Sequence, residues 1–270
     1  MGTSSSNPGQ NGKTPLVPSW LDDDPIDRNN LSPDSNSDDN NSDRFSNSRN
    51  NFTRFVNSGG KNVGNLKSAS RGYVNKSLGG STNATKRLGS SLNSTGKLIS
   101  IVKGFNNVGI DRTLNDKGLG NLIGKPLADV FFGLIEYIAP NGGRLDEGIS
   151  RNSLNEAIIE FTSILDANST DLTSITKNQL ESLTEMYVTN VIQNRLLNDI
   201  GNKLVKFSGN VDEINYIQEQ LFDFINGAVK DSITLLGKDI FEVKESEILD
   251  VVQQIYKQSY DILGTIEGAD

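Results

Sequence analysis

The chemically most accessible group in this sequence is the amine that Gly2 would expose after removal of Met1. Glycine has no Cβ, so its amine is the least hindered that a polypeptide can offer. With an α-amino pKa of about 8, part of this amine is unprotonated and nucleophilic at neutral pH. The small, polar residues after it, TSSSNPGQNG, would let this end enter a deep pocket. Gly2 is therefore a candidate site of N-terminal modification, with Thr3 and Ser4 as neighbouring partner contacts.

The same residues also fit the myristoylation pattern M-G-x-x-x-[ST], through Gly2 and Ser6. The match is short, and many proteins begin with Met-Gly by chance. A lipid anchor would need a eukaryotic-type acyltransferase, so a bacterial origin would argue against this alternative.

A second unusual stretch, PLVPSWLDDDP, holds the only tryptophan of the chain, Trp20. Proline restricts the backbone and so lowers the entropy lost on docking, and tryptophan is enriched at binding hot spots. We predict that this patch binds a partner protein. The alternative is that Trp20 folds back onto this protein's own helices. The predicted docking patch comprises Pro15, Leu16, Val17, Pro18, Trp20 and Leu21.

The sequence contains no histidine and no cysteine, which removes the commonest catalytic designs and the usual zinc ligands. The paired carboxylates Asp146 and Glu147 favour the start of a helix rather than a metal site. The glycine-rich stretch GLGNLIGKP departs from the phosphate-loop pattern, because Pro126 follows Lys125. We therefore predict a protein without catalytic residues, metal ligands or cofactor.

Basic side chains are concentrated between residues 57 and 124, with ten basic and two acidic residues and a net charge of +8. Residues 1–56 carry −3 and residues 125–270 carry −13. A clustered basic region is typical of nucleic-acid binding, but few aromatics accompany this one. It could instead face the acidic C-terminal helices or an acidic partner. The candidate basic surface comprises Lys67, Arg71, Lys86, Arg87 and Lys97.

The elements that would carry these residues fall into two parts. Residues 1–56 are rich in Pro, Ser, Asn and Asp, and we predict a disordered leader there. From residue 57 to residue 270 apolar residues recur at helical spacing, which predicts a single all-α domain. We expect helix breaks at Gly79-Gly80 and at GLGNLIGKP. Capping boxes are expected at TKNQ (176–179) and NVDE (210–213), and Asp146 is expected to cap the helix that begins beside it.

The chain shows no run of about 18 apolar residues and no secretory signal, so we expect a cytoplasmic protein that does not enter the membrane.

Several stretches, taken in order, resemble the QatB family of the bacterial Qat anti-phage system. They are MGTSSS, PLVPSWLDDDP, RFVNSGG with SRGYVNKSLGGSTNATKRLGSS, GLGNLIGKPLADV, and APNGGRLDEGISRNSLNE. They cover the leader and the first half of the predicted domain, whereas the C-terminal half is similar only in its helical character.

This resemblance implies a non-enzymatic defence component that works with a QueC-like enzyme, an ATPase and a TatD-like nuclease. QueC-type enzymes activate a deazaguanine carboxylate with ATP and join it to an amine. Carried over to this sequence, the acceptor would be Gly2. The alternative that the residues leave open is a nucleic-acid-binding adaptor that uses the basic region 61–125.

Overall fold

Helices form the regular structure in the part of the chain that the computed structural model describes, which comprises residues 43–165, 175–205 and 211–266. No β-strand occurs within these ranges, so the predicted all-α fold is confirmed. All of them belong to one compact unit, Asp39–Asp270. The α-helices are Ser46–Asn57 (α1), Val63–Gly72 (α2), Ser81–Lys86 (α3), Ser90–Val108 (α4), Ile110–Asp116 (α5), Leu127–Ile138 (α6), Leu145–Ser163 (α7), Lys177–Ile200 (α8), Asn202–Val205 (α9), Val211–Leu236 (α10) and Ile248–Thr265 (α11).

Shorter helical turns complete these elements. Within the described ranges, 3₁₀ turns occupy Asp43–Phe45, Gly120–Leu122 and Glu245–Glu247. A π-helical turn, Tyr73–Ser77, continues α2 without a break. In this π turn the Leu78 N–H donates to the Tyr73 carbonyl, five residues back, at 2.9 Å. Such wide turns are rare and occur often at functional positions.

The folded domain begins earlier than the predicted boundary at residue 57. The structure places residues 46–56 in α1, where Phe52, Phe55 and Val56 are fully buried. These three residues have the i, i+3, i+4 spacing of one helix face, but the Ser- and Asn-rich residues around them conceal the pattern. Residues 46–56 are therefore part of the domain. The predicted leader as far as residue 42 lies outside the described residues.

The core is arranged around α8, which packs against α7, α10 and α4. Val188, Val191 and Ile192 are fully buried on this helix, as is Tyr187. The Tyr187 hydroxyl lies 2.7 Å from the Ser150 hydroxyl on α7, so its polar end has a partner inside the core. Burial raises the pKa of Tyr187 to about 12, which keeps the phenol neutral. α11 packs against α10, α3, α4 and α2 and joins the first helices to the last ones.

The helix-breaking glycines act as predicted. Gly79 and Gly80 have φ of 76° and 96°, which only glycine adopts readily, and they separate the π turn from α3. In the stretch GLGNLIGKP, the 3₁₀ turn Gly120–Leu122 lies between α5 and α6. These glycines end helices and form no phosphate loop.

The predicted capping residues have mixed outcomes. At TKNQ the Gln179 N–H donates to the Thr176 hydroxyl at 3.3 Å, and the Thr176 N–H donates to the Gln179 side chain at 2.8 Å, as a capping box requires. Asp146 does not cap its own helix: α7 begins after Arg144, whose N–H donates to Glu147. The predicted box at 210–213 begins at Asn210, outside the described residues.

Candidate functional site

Two of the predicted sites lie outside the described residues. They are the modification site, Gly2 with Thr3 and Ser4, and the docking patch around Trp20. What the structure does describe is the segment to which the leader is covalently joined, Asp43–Phe45 and α1. The contacts of this segment define where the leader begins on the folded domain.

The first described residues are held against the π turn. The Ser77 hydroxyl donates to the backbone carbonyl of Arg44 at 2.7 Å and lies 3.3 Å from the Ser48 hydroxyl. The Phe45 ring packs 6.2 Å from the Tyr73 ring, and the Arg44 guanidinium lies 4.7 Å from the centre of the Phe45 ring. The entry to α1 is thus fixed by hydrogen bonds and by ring contacts.

A polar cluster joins α1 and the π turn to the end of α8. The Arg49 guanidinium donates twice to the Asp199 carbonyl, at 3.1 and 3.2 Å, and the Tyr73 hydroxyl donates to the Asp199 carboxylate at 2.8 Å. Arg195 lies 3.6 Å from the same carboxylate. We call Arg49, Tyr73, Arg195 and Asp199 the anchor cluster. Removing one member of a largely buried charge pair leaves the other unpaired, which is costly.

Burial favours the neutral form of the tyrosines in this region. Burial is the main cause that raises the pKa of Tyr73 well above its usual value, and Tyr260 and Asp199 add to the effect. Burial also raises the pKa of Tyr260, whose hydroxyl has no hydrogen-bond partner among the described residues. Neutral phenols donate hydrogen bonds but do not act as bases at neutral pH. The anchor cluster is therefore suited to holding α1 in place rather than to proton transfer.

Sequence reasoning did not predict the anchor cluster. Arg195 and Asp199 have the i, i+4 spacing of a helical ion pair, which is visible in the sequence. Their partner Arg49 belongs to the segment that composition assigned to the leader. The hydrogen bond between Tyr73 and Asp199 joins residues far apart in sequence, so no local pattern reveals it.

Four of the five predicted basic-surface residues lie on α2 and α3, two short helices that both pack against α11. Lys67 and Arg71 are one turn apart on α2, and Lys86 and Arg87 stand at the end of α3. Arg71 and Lys86 are exposed, and Lys67 and Arg87 are half-buried. None of the four forms an ion pair within the described ranges. Their charges remain available to an anionic partner.

The fifth residue, Lys97 on α4, is different because the fold uses it. Its ammonium donates to the Tyr137 carbonyl at 3.0 Å and lies 5.5 Å from the centre of the Tyr137 ring. Lys103 donates to the Val243 carbonyl, and Lys117 lies 3.9 Å from Glu245. Among the described residues, the basic region therefore contains cations without an ion pair on α2 and α3 and tethered cations on and near α4. In the second group, Lys117 contacts the acidic Glu245 of the C-terminal part, as one alternative for the basic region held.

The described residues contain no group of three or more Asp and Glu side chains that could hold a metal ion. Burial raises the pKa of Glu160 and of Glu185, with nearby Asp223 adding to the shift at Glu160 and nearby Glu181 to that at Glu185.

No helix in the described ranges is long and apolar enough to cross a membrane.

Comparison with models of protein families gives a match over much of the described domain. A family model described as the Qat anti-phage system associated protein QatB matches residues 79–263. Neither the curated proteins nor the solved structures matched the chain. The matched span begins at Gly79, before α3, and ends within α11, so it includes C-terminal helices in which the sequence showed only a general helical character. The leader and α1 lie outside it. Because the match covers more than half of the 270 residues, the chain belongs to the QatB family of Qat anti-phage system proteins.

Proposed function

We propose that this protein is a non-enzymatic component of the Qat defence system whose leader binds a QueC-like enzyme and presents Gly2 for modification. The base attached would be of the 7-deazaguanine type. The observation that carries the proposal is Met1-Gly2 at the head of a small-residue leader that also holds the Trp20 docking patch. Membership of the family supports a role in anti-phage defence.

The chemistry requires little of this chain beyond its amine. After removal of Met1, the unprotonated Gly2 amine attacks the ATP-activated carboxyl carbon of the base, which the QueC-like enzyme supplies. An amide bond forms, the activating group leaves, and the nitrogen loses a proton. The missing side chain of Gly2 reduces crowding at the attacked carbon. The docking patch would hold the leader while its end occupies the active site.

The contacts of the described domain support this proposal, in which the leader binds the enzyme and the helical domain holds the leader in place. The anchor cluster and the Ser77–Arg44 hydrogen bond fix the residues to which the leader is joined. A fixed attachment point raises the effective concentration of the leader wherever the domain is bound. We propose that the partner enzyme contacts the leader first and that the domain links it to the ATPase and TatD-like nuclease, in the cytoplasm.

Intact mass spectrometry of the protein purified from cells that carry the whole system tests this function. We expect a mass that corresponds to loss of Met1 and addition of one deazaguanine-type acyl group. Loss of Met1 with a fatty acyl group instead would favour the lipid-anchor alternative. Loss of Met1 alone, in the presence of an active QueC-like enzyme, would contradict the proposal.

Two variants separate the amine from the rest of the chain. Gly2→Ala retains a small second residue, so Met1 is still removed, but the methyl group crowds the amine. We expect reduced modification and reduced phage protection. Gly2→Leu should retain Met1 and abolish both. Full protection by Gly2→Leu would show that the Gly2 amine is not the acceptor.

A second candidate function, nucleic-acid binding, rests on the unpaired cations of α2 and α3. Lys67, Arg71, Lys86 and Arg87 lack acidic partners within the described ranges, as cations that contact phosphates would. We rank this function second, because the aromatic side chains of the basic region 57–124, Tyr73 and Phe105, are buried and offer no stacking surface.

A further inference from the structure

Basic side chains on α2, the π turn and the end of α3 lack acidic counterparts in their own part of the chain. Residues 44–110 contain eleven Lys and Arg residues and no Asp or Glu. Lys67 and Arg71 are one turn apart on α2, a spacing at which like charges repel. Within the described ranges, none of these five forms an ion pair. We call them the α2–α3 face, which comprises Lys67, Arg71, Lys76, Lys86 and Arg87.

The nearest helix with acidic residues, α11, does not neutralise this face by an ion pair. α2 and α3 both pack against α11, and its Asp261 is already paired with Lys257 at 3.0 Å. Asp250 lies in the first turn of α11, whereas the π turn meets the last turn, where Asn75 donates to the Gly264 carbonyl.

Two further carboxylates beside the α2–α3 face have partners of their own. Asp199, next to the π turn, accepts from the Tyr73 hydroxyl and lies 3.6 Å from Arg195 in the anchor cluster. Asp146, near the end of α3, accepts two hydrogen bonds from Ser90. The cations of the α2–α3 face therefore remain available to a partner.

Carboxylates without ion pairs lie on α7, α8 and α10. Partial burial and the nearby Asp223 raise the pKa of Glu160, and burial with nearby Glu181 raises the pKa of Glu185. Like charges are thus crowded at these positions. No member of the set forms an ion pair within the described ranges. We call it the acidic face, which comprises Glu160, Glu181, Glu185 and Asp223.

Two lysines lie near the acidic face without neutralising it. Lys230 lowers the pKa of Glu185 but is not within ion-pair distance of it among the described contacts. Lys177, near Glu181, is paired with Asp239. At Glu160 the charged neighbour that affects the pKa is itself a carboxylate. Added cations would therefore relieve repulsion on this face.

The fold keeps the two faces apart within one molecule. α11 packs against α10 as well as against α2 and α3, so it lies between them. No ion pair in the described ranges joins the two faces. Opposite charges that stay unpaired within one copy can pair between two copies. In a two-fold dimer the contact would form twice, because each copy offers both faces.

We propose that the α2–α3 face binds the acidic face of a second copy of this chain, in a two-fold symmetric dimer. The complementary charges of the two faces carry this proposal. Exposed charge pairs are individually weak and are screened by salt, so the dimer is weak and salt-sensitive. A nucleic acid would use the same cations but would leave the acidic face unused. The inference is independent of Gly2 modification, because both faces lie within the helical domain.

Sedimentation velocity of the full-length protein, produced without the rest of the system, tests the proposal. At about 50 mM salt, the mean sedimentation coefficient should rise as the protein concentration approaches about 100 µM. This rise should disappear at about 500 mM salt, where the charges are screened. Arg71→Glu with Lys86→Glu should weaken association by about tenfold or more, and Glu160→Lys with Asp223→Lys should do the same. All four side chains are exposed, so the fold should tolerate these changes.

A mixture of the two charge-reversed proteins gives the sharpest result. In the mixed dimer the two reversed faces meet each other and the two unchanged faces meet each other, so opposite charges face again at both contacts. We expect the mixture to associate like the wild type although each variant alone is monomeric. A mixture that stays monomeric would overturn the proposal, as would a wild-type protein that stays monomeric at low salt.

The matched control is Lys238→Glu with Lys244→Glu, which makes the same charge change at exposed positions outside both faces. This variant should associate like the wild type. If it weakened association as much as Arg71→Glu with Lys86→Glu, general repulsion between acidic molecules would explain the result and the proposal would be wrong. Displacement of the second copy by an equimolar DNA duplex would also overturn it, because the α2–α3 face would then prefer phosphates.

Discussion

Asp146 on α7 accepts two hydrogen bonds from Ser90, the first residue of α4, one from its backbone N–H at 3.1 Å and one from its hydroxyl at 2.9 Å. The carboxylate therefore caps a neighbouring helix, distant in sequence, rather than its own. The hydrogen bond from the Ser90 N–H is the main cause that lowers the pKa of Asp146. Gly89, just before α4, has no side chain that could cap it.

The lowered pKa predicts a pH-dependent contribution to stability. A carboxylate whose pKa is lower in the folded state stabilises the fold above its unfolded pKa, about 3.9 for aspartate. This contribution disappears as the pH falls through the folded pKa. We expect Asp146→Ala to lower the free energy of unfolding by about 1 kcal/mol at pH 7, as loss of a helix cap does. The difference from wild type, measured by urea denaturation, should shrink as the pH falls through the lowered pKa of Asp146 in the folded state. Asp129→Ala, in the first turn of α6, is the control, and an equal loss there would contradict a specific cap.

The anchor cluster predicts that removing the Tyr73 hydroxyl lowers the stability of the helical domain. Tyr73→Phe removes the donor to Asp199 and leaves that carboxylate with fewer partners in a largely buried site. Hydrogen bonds to charged groups contribute about 1.5–3 kcal/mol, so we expect a destabilisation of about 2 kcal/mol in chemical denaturation. Tyr216→Phe makes the same chemical change at an exposed position and should leave stability unaltered. A Tyr73→Phe protein as stable as wild type would mean that the cluster does not fix α1.

The early start of the domain can be tested by truncation and by one core substitution. A protein beginning at residue 43 should retain the helical content and unfolding cooperativity of the full chain. Removal of residues 1–57 should destabilise it strongly, because Phe52, Phe55 and Val56 would leave the core. Phe52→Ala in the full chain should cost about 3–5 kcal/mol, as for other buried phenylalanines. If Phe52→Ala proved neutral in thermal unfolding, α1 would not belong to the core.

If the docking patch binds the QueC-like enzyme, Trp20 should contribute strongly to the affinity and should become buried in the complex. Tryptophans at hot spots contribute about 2 kcal/mol or more, so Trp20→Ala should weaken binding to the QueC-like enzyme by roughly thirtyfold. The stability of the helical domain should not change. Because Trp20 is the only tryptophan, its fluorescence reports on it directly, and we expect a shift to shorter wavelength when the partner is added. Emission already shifted in the free protein, and unaltered by the partner, would contradict the docking patch.

If the basic residues of α2 and α3 bind nucleic acid, the affinity should depend strongly on salt concentration. Phosphate contacts release counterions, so any nucleic-acid complex must weaken steeply as salt rises. We expect only weak binding of a labelled DNA duplex at about 150 mM salt. The charge-matched comparison is Lys86→Glu with Arg87→Glu against Lys230→Glu with Lys257→Glu. A tight complex abolished only by the first pair would place nucleic-acid binding ahead of the proposed function.

The fold class could be predicted because helical periodicity is a local property. Apolar residues every three or four positions indicated α6, α8 and α10, and the TKNQ pattern indicated the start of α8. The start of the domain was not predicted, because composition averages over a window. The three buried apolar residues of α1 were outweighed by the serines and asparagines around them.

In the candidate sites, too, the role of a side chain could not be predicted where it depends on a residue distant in sequence. In the sequence, Lys86 and Arg87 look no different from Lys97. In the structure, Lys86 and Arg87 form no ion pair with a described residue, whereas Lys97 is held by the Tyr137 carbonyl. The difference depends on whether a distant carbonyl or carboxylate lies within reach. The same reasoning applies to Asp146, whose partner Ser90 becomes its neighbour only when α4 and α7 pack together. Interactions that depend on tertiary packing have no local pattern.

The π turn at Tyr73–Ser77 makes this fold sensitive to a change of a single residue in chain length at that point. A π turn holds one residue more than an α-helical turn, so it is equivalent to a single-residue insertion within a helix. Deleting one residue there would restore a regular helix and rotate the residues C-terminal to it by about 100°. Asn75, which donates to the Gly264 carbonyl at 2.7 Å, and Ser77, which donates to Arg44, would then no longer reach their partners together. A chain that lacked the extra residue would therefore lose the Arg44 contact, the Gly264 contact or both.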